Sequence, residues 1–228
     1  MRAMVLAAGL GTRLRPVTWS VPKPMVPILN RPVMEPILNL LSSHGITAVI
    51  ANLHWFPDAI EDYFGDASAL GIDLRYSRED TLHGTAGGVY KTREYFGGSF
   101  LVISGDALTD VDLTRMREFH ESHDGIATLA TKQVTDTSEF GVVITDDDGR
   151  IQGFQEKPDP AEALSNLANC GIYMFRPEIF DYFPEPGASK LARKGGDYPD
   201  DFADWAYDVF PALMEAGIPF YSLSLIHI

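Results

Sequence analysis

Arg13, Arg15 and Lys23 lie within LAAGLGTRLRPVTWSVPKPMVP, residues 6–27, where basic side chains are interspersed with glycines and prolines. A guanidinium grips phosphate oxygens through paired hydrogen bonds, and an ammonium acts as a mobile point charge. Gly9 and Gly11 let backbone N–H groups turn toward an anion and let a ligand approach closely. Pro16, Pro22, Pro24 and Pro27 stiffen the loop, so less entropy is lost when an anion orders it. The 228-residue chain has a formal charge of −14, yet residues 1–34 hold Arg2, Arg13, Arg15, Lys23 and Arg31 and no carboxylate. This pattern predicts a preformed cradle for a small polyphosphate; the bland alternative is a basic loop that only keeps the surface soluble.

Two common glycine motifs do not fit. The string GLGTRL has Leu14 where a dinucleotide fingerprint needs its third glycine, and no acidic residue about 20 positions later caps a second strand. The G-x-x-x-x-G-K-[ST] phosphate loop is absent. The acidic balance argues against a nucleic acid held on a broad basic surface. Cys170 is the single cysteine, so no internal disulfide can form; it reads as a small buried filler in a reduced, cytoplasmic protein. No apolar run reaches the roughly 18 to 20 residues of a membrane span, and the stretch after Arg2 is too short for a signal peptide.

Asp106, in FLVISGDALTD, follows an apolar run and Gly105. That places a carboxylate at the carboxyl end of a parallel strand, the edge where open α/β sheets bind ligands. Magnesium takes one or two carboxylates together with phosphate oxygens, so Asp106 is the candidate metal ligand. Asp110 is a further candidate, and Asp112 reads as the cap of a helix starting at Leu113. LHGTAGG, residues 82–88, is either a turn that lets a flat base lie against the backbone or a plain turn with a cap at Thr85. In QEKPD, Glu156 and Lys157 are neighbours on an extended chain and should face opposite ways. They read as a sugar-binding carboxylate beside a phosphate-binding ammonium, or as a solvated pair. Gly141, Asn169 and Gly171 fall at strand starts, where glycine would admit a ligand.

The elements that must position these groups follow from periodicity. Strands are predicted over 3–8, 46–53, 72–76, 100–104, 126–132, 141–145, 151–156 and 171–175, and helices over 33–41, 57–64, 86–96, 113–123, 177–183 and 202–216. Strand and helix alternate in the first half, which implies parallel strands with helices on both faces. DDDGR, residues 146–150, marks a hairpin in the second half, so the sheet is mixed. Residues 184–201, which include Lys190, Arg193 and Lys194, read as an exposed insertion loop. Trp55, Phe56, Tyr63 and Phe64 are expected in the core.

Taken in order, the residue 6–27 string, LHGTAGG, VISGD, EFGVV, QEKP and ANCGIYMF resemble the sugar nucleotidyltransferases, the nucleoside-diphosphate-sugar pyrophosphorylases, over nearly the whole chain to about residue 183. PKPMVP followed by NRPVMEPIL is most similar to the mannose-1-phosphate guanylyltransferases, and the glucose-1-phosphate thymidylyl- and uridylyltransferases share much of it. The resemblance implies an α/β, Rossmann-like three-layer sandwich with a mixed, mostly parallel central sheet, spanning residues 1–222. It implies transfer of a nucleotidyl group, from GTP to mannose 1-phosphate by the best match, with release of pyrophosphate and with Mg2+ across the phosphates. Arg13 would hold the pyrophosphate and Lys23 the charge at the α-phosphate or the incoming phosphate. Leu6, Ala8, Gly9, Gly11, Thr12, Arg13, Gly84, Thr85 and Ala86 would bind the nucleotide; Lys23, Gly141, Glu156, Lys157, Asn169 and Gly171 the sugar phosphate; and Asp106 the metal. Neither nucleic acid nor membrane is expected as a partner, and a homo-oligomer is allowed. The family's second metal aspartate, in a Trp-x-Asp-x-Gly stretch after GIPFYS, is not found. The closing LSLIHI, which a common transposase adaptor also encodes in one frame, reads as a non-native tail over 223–228 or as an edge strand. A non-catalytic nucleotide- or sugar-phosphate-sensing module is therefore the competing expectation.

Overall fold

A computed structural model describes residues 1–191 and 198–225. In chain order its elements are β1 (Arg2–Leu6), β2 (Pro27–Ile28), β3 (Arg31–Pro32), α1 (Met34–Ser43), β4 (Ala48–Leu53), α2 (Pro57–Phe64), β5 (Asp73–Arg78), α3 (Gly84–Lys91), β6 (Phe100–Ser104), α4 (Leu113–Ser122), β7 (Ala127–Gln133), β8 (Gly141–Thr145), β9 (Ile151–Glu156), β10 (Leu167–Phe175), α5 (Phe210–Glu215) and β11 (Tyr221–Ser224). A π-helical turn, Trp205–Val209, leads into α5.

The apolar runs of β1 and β6 are buried on both faces, as central parallel strands must be. Their side chains alternate between two cores. Ala3, Val5, Leu101 and Ile103 pack with Ile37, Leu38, Leu41, Ile60 and Met116, under α1, α2 and α4. Met4, Phe100 and Val102 pack with Val89, Trp205, Phe210 and Leu213, under α3 and α5. The result is three layers around a sheet ordered β11-β7-β10-β6-β1-β4-β5, with β8 and β9 branching from β10. The β6-β1-β4-β5 block is parallel, and β10 runs antiparallel to β6, β7 and β8. This is the mixed, mostly parallel α/β sandwich expected, and the DDDGR hairpin joins β8 to β9.

Two expectations change. Of the aromatic quartet only Phe64 is buried: Phe56 and Tyr63 are exposed, the Tyr63 hydroxyl donating to Glu35 at 2.9 Å, and the Trp55 indole donates to the Thr18 carbonyl at 2.9 Å. The 184–201 segment is not free along its length. Ser189 is buried and its hydroxyl donates to Asp208 at 2.8 Å, while Asp208 also accepts the Lys190 and Asp204 amides. Arg193 and Lys194 lie outside the described residues. Leu223 and Ser224 sit in β11, in register with Ala130 and Thr131, and residues 226–228 lie outside the description. No helix among the described residues is long and apolar enough to cross a membrane.

The end of α4 carries a pH-sensitive cluster. His120 Nδ1 and His123 Nε2 both meet the Thr128 hydroxyl, at 2.8 and 3.0 Å, and the Gly125 amide donates to His123 Nδ1. Burial pushes both imidazoles down to about 4, helped by the Arg176 guanidinium and, for His120, by His123. In the unfolded chain they titrate near 6.5, so there they take protons first. Stability is therefore full above pH ~6.5 and is lost as the pH falls toward about 4. The melting temperature should decline over that window, and a His120→Asn/His123→Asn chain should show a flatter profile.

Candidate active site

The carboxyl ends of β1, β4 and β6 open into a cleft of about 710 Å³. β1 feeds directly into the glycine loop. Gly11 sits at φ +62°, and a Cβ there would lie 2.9 Å from Thr18 Cγ2 and 3.2 Å from Lys23 Cβ, so the fold itself demands glycine. Around Gly9, by contrast, nothing lies within 4 Å of a Cβ, so its open space belongs to the cleft. The Gly11 carbonyl accepts the Leu14 amide at 2.9 Å and the Thr18 hydroxyl at 2.7 Å, folding the loop back on itself. Three short 3-10 turns follow, Thr12–Leu14, Val17–Trp19 and Lys23–Met25. They bring the Lys23 ammonium into an ion pair with the Asp106 carboxylate just past β6. The Gly105 amide donates to the Leu6 carbonyl at 2.8 Å, fixing the Asp106 turn to the exit of β1. Arg13 stands exposed at the cleft edge.

On the α3 side, Gly84 adopts φ +81° and Gly84 and Thr85 line the cleft. The Ala203 carbonyl accepts both the Ala86 and Gly87 amides at 3.0 Å, and the Thr85 hydroxyl donates to Asp204 at 2.8 Å. Burial raises the Asp204 carboxyl, partly offset by the bonds from Thr85, Tyr207 and Ala206. The Ala86 side chain is fully buried in the core beneath α3, because the helix turns it away from the cleft, and its amide is bonded to Ala203.

On the β9–β10 side, Gly141 pairs with Glu156 across the hairpin, and a Cβ on Gly141 would lie 2.9 Å from the Glu156 carboxylate. Glu156 and Lys157 both line the cleft, against the alternation of an extended strand. The cause is the left-handed backbone of Lys157, φ +48°, which turns the chain as β9 ends. Desolvation by the cleft walls raises the Glu156 carboxyl, opposed by Lys157 and Arg13. In β10 a bulge between Asn169 and Tyr173 surrounds Gly171, at φ +69°. The Asn169 carboxamide accepts the Gly171 amide at 3.0 Å and donates to the Tyr173 hydroxyl at 2.9 Å.

The structure thus gathers Leu6, Ala8, Gly9, Gly11, Thr12, Arg13, Lys23, Gly84, Thr85, Asp106, Gly141, Glu156, Lys157, Asn169 and Gly171 around one cleft. Ala86 and Asp110 do not join them. Asp112 is a helix cap, accepting the Arg115 amide at 2.9 Å. Cys170 is partly buried, packing against the core as well as lining the cleft, and burial pushes its thiol up to about 11. Asn52, Glu79, Tyr173, Tyr198 and Phe202 also line it, unanticipated. Asn52 alone left a trace in the sequence, a polar residue inside the apolar run AVIANL.

The profile of the nucleotidyl transferase family matches residues 2–224. A UTP–glucose-1-phosphate uridylyltransferase of Synechocystis sp. is 43% identical over 99% of this chain, which covers 58% of that protein. A mannose-1-phosphate guanylyltransferase of Mycobacterium tuberculosis is 34% identical over 94% of the chain and 56% of its own length. The chain therefore spans a little over half the length of these relatives. The crystal structure of HddC from Yersinia pseudotuberculosis complexed with GMP-PN matches the fold with a TM-score of 0.76, at 23% identity, over 98% of this chain and 89% of that one. By this match along nearly its entire length, the chain belongs to the nucleotidyl transferase family.

Proposed function

We propose that the chain transfers a nucleotidyl group from an NTP to a sugar 1-phosphate and releases pyrophosphate. The observation that carries this reading is the meeting, in one cleft, of the glycine loop with its Lys23–Asp106 pair and the Glu156–Asn169 wall. The first suits a triphosphate and the second suits hydroxyls. The sugar-phosphate oxygen forms a bond to the α-phosphorus while the bond to the bridging oxygen of the β-phosphate breaks. No protein nucleophile is required; the residues supply position and charge.

Lys23 exchanges Asp106 for a phosphate oxygen, Arg13 holds the departing pyrophosphate at the mouth, and Gly84 and Thr85 face the base. Glu156 and Asn169 read sugar hydroxyls, and Lys157 holds the sugar phosphate. Among the described residues no three of His, Cys, Asp and Glu gather to hold a metal unaided. Asp106 fits a hard dication such as Mg2+ that takes its remaining oxygens from the substrates' phosphates and water. When bound, such an ion neutralises phosphate charge.

The Synechocystis relative, with its higher identity, supports UTP and glucose 1-phosphate as the first pair; the mycobacterial one supports GTP and mannose 1-phosphate as the second. Pyrophosphate release measured over a panel of NTPs and sugar 1-phosphates with Mg2+ tests the reading. One pair is expected to exceed the rest. Binding without release for every pair would leave a sensing module in place of an enzyme.

A further inference from the structure

Asn52 is the next-to-last residue of β4, with its side chain almost wholly withdrawn from solvent. A buried carboxamide needs partners for both its oxygen and its nitrogen. Here Oδ1 accepts the Ala7 amide at 2.9 Å, and Nδ2 donates to Glu79 Oε1 at 2.8 Å. Ala7 opens the glycine loop after β1, and Glu79, also buried, follows β5. The other Glu79 oxygen meets the His83 amide at a long 3.4 Å, ahead of the Gly84 turn. Helix α3 closes directly on the pair: a Cβ on Gly88 would lie 2.6 Å from Glu79 Oε1 and 2.7 Å from Asn52 Nδ2. One amide therefore joins the exits of three parallel strands, and Ala7, Asn52 and Glu79 all line the cleft.

We propose that Asn52 is a positioning residue for the nucleotide half of the cleft, bridging the Ala7 amide and the Glu79 carboxylate so that the glycine loop and the α3 turn keep one fixed separation. This role rests on the nucleotidyl-transfer reading above. Asn52 lines the end of the cleft opposite the Glu156–Asn169 wall in that reading, so its loss should weaken nucleotide binding and spare the sugar phosphate. A merely structural amide would disturb both together.

Two variants of the full chain test it. Asn52→Leu removes both bonds; the KM for UTP or GTP is expected to rise about tenfold or more, with the KM for the sugar 1-phosphate within about twofold of wild type. Asn52→Asp keeps the shape and the acceptor for Ala7 but sets a second carboxylate against Glu79. Two carboxylates at that separation repel each other unless a proton lies between them. The shared proton restores the bridge, and its loss drives the pair apart. UTP and GTP affinity, measured by calorimetry as a ratio to wild type at the same pH, should be closest to one at the acid end of the stable range and fall about tenfold as the pH rises and the pair loses that proton. A flat ratio, or equal losses for nucleotide and sugar phosphate, overturns the role while leaving the enzyme reading intact. A wild-type chain that binds neither nucleotide overturns that reading, and the positioning role with it.

Discussion

Lys23→Ala is expected to slow pyrophosphate release by roughly 100- to 1000-fold at saturating substrates, the usual cost of removing one group that stabilises charge in the transition state. The geometry makes the effect compound. Lys23 is the ion-pair partner of Asp106, so its removal leaves a carboxylate facing the incoming phosphates with no ammonium to offset it. The KM for the NTP should therefore rise along with the fall in kcat. Lys23→Arg should not restore the rate, since a planar fork cannot take the place of a compact ammonium beside Asp106. Arg13→Ala is expected to cost a factor of the same order, because in the proposed reading Arg13 would be the second cation to meet the phosphates. Both side chains are partly or fully exposed, so the melting temperature should stay near that of wild type. A Lys23→Ala chain within about fivefold of wild type in single-turnover rate would remove Lys23 from the chemistry.

Gly84→Ala is expected to give the largest loss of stability. The backbone there is left-handed, at φ +81°, and a methyl group would lie 2.3 Å from the Ala203 carbonyl oxygen and 3.0 Å from the Phe202 ring. The carbonyl contact cannot be relieved by rotating a side chain; the 202–204 backbone must move, breaking the bonds from Ala86 and Gly87 to Ala203. Strained backbone and overpacking together cost about 3 kcal/mol, or about 6–12 °C in melting temperature for a chain of this size. Gly9→Ala is the matched control. No atom lies within 4 Å of its Cβ position, so stability should change by less than about 1 kcal/mol, while the NTP KM rises if ligand fills that space. Thermal unfolding of both variants, followed by circular dichroism, checks the contrast.

How much was legible in the sequence depended on whether a feature was local. Strands β6, β8 and β9 fall where apolar runs, a glycine start and DDDGR placed them, since each signal lies within the strand or its turn. The glycine loop, Lys23 and Asp106 were legible for the same reason: residue type and position relative to a strand end carry the information. The rest is non-local. The helix expected over 202–216 is a π-helical turn followed by the shorter α5, because the 201–204 segment is drawn out to bond His83, Ala86 and Gly87 across the fold. Lys157 lines the cleft through a left-handed backbone that its neighbours in sequence do not announce. Asn52 and Glu79 are 27 residues apart, and only the adjacency of β4 and β5 turns them into a bonded pair.

The Ala203 carbonyl at the head of α3 has one more consequence. Free amides at a helix start draw anions, yet two of those at α3 are already bonded to a neutral oxygen. That end of the cleft is edged by the Phe202 ring and by the carboxylates of Glu79 and, behind Thr85, Asp204, while the cations Arg13 and Lys23, the latter paired with Asp106, belong to the glycine loop. In the proposed reading a nucleotide entering the cleft would thereby be given a direction, its uncharged head toward α3 and its charged tail toward the loop. A ligand inserted the other way round would bring its phosphates against a carbonyl dipole, so in that reading the strap that closes over the helix would also sort head from tail before any base is read.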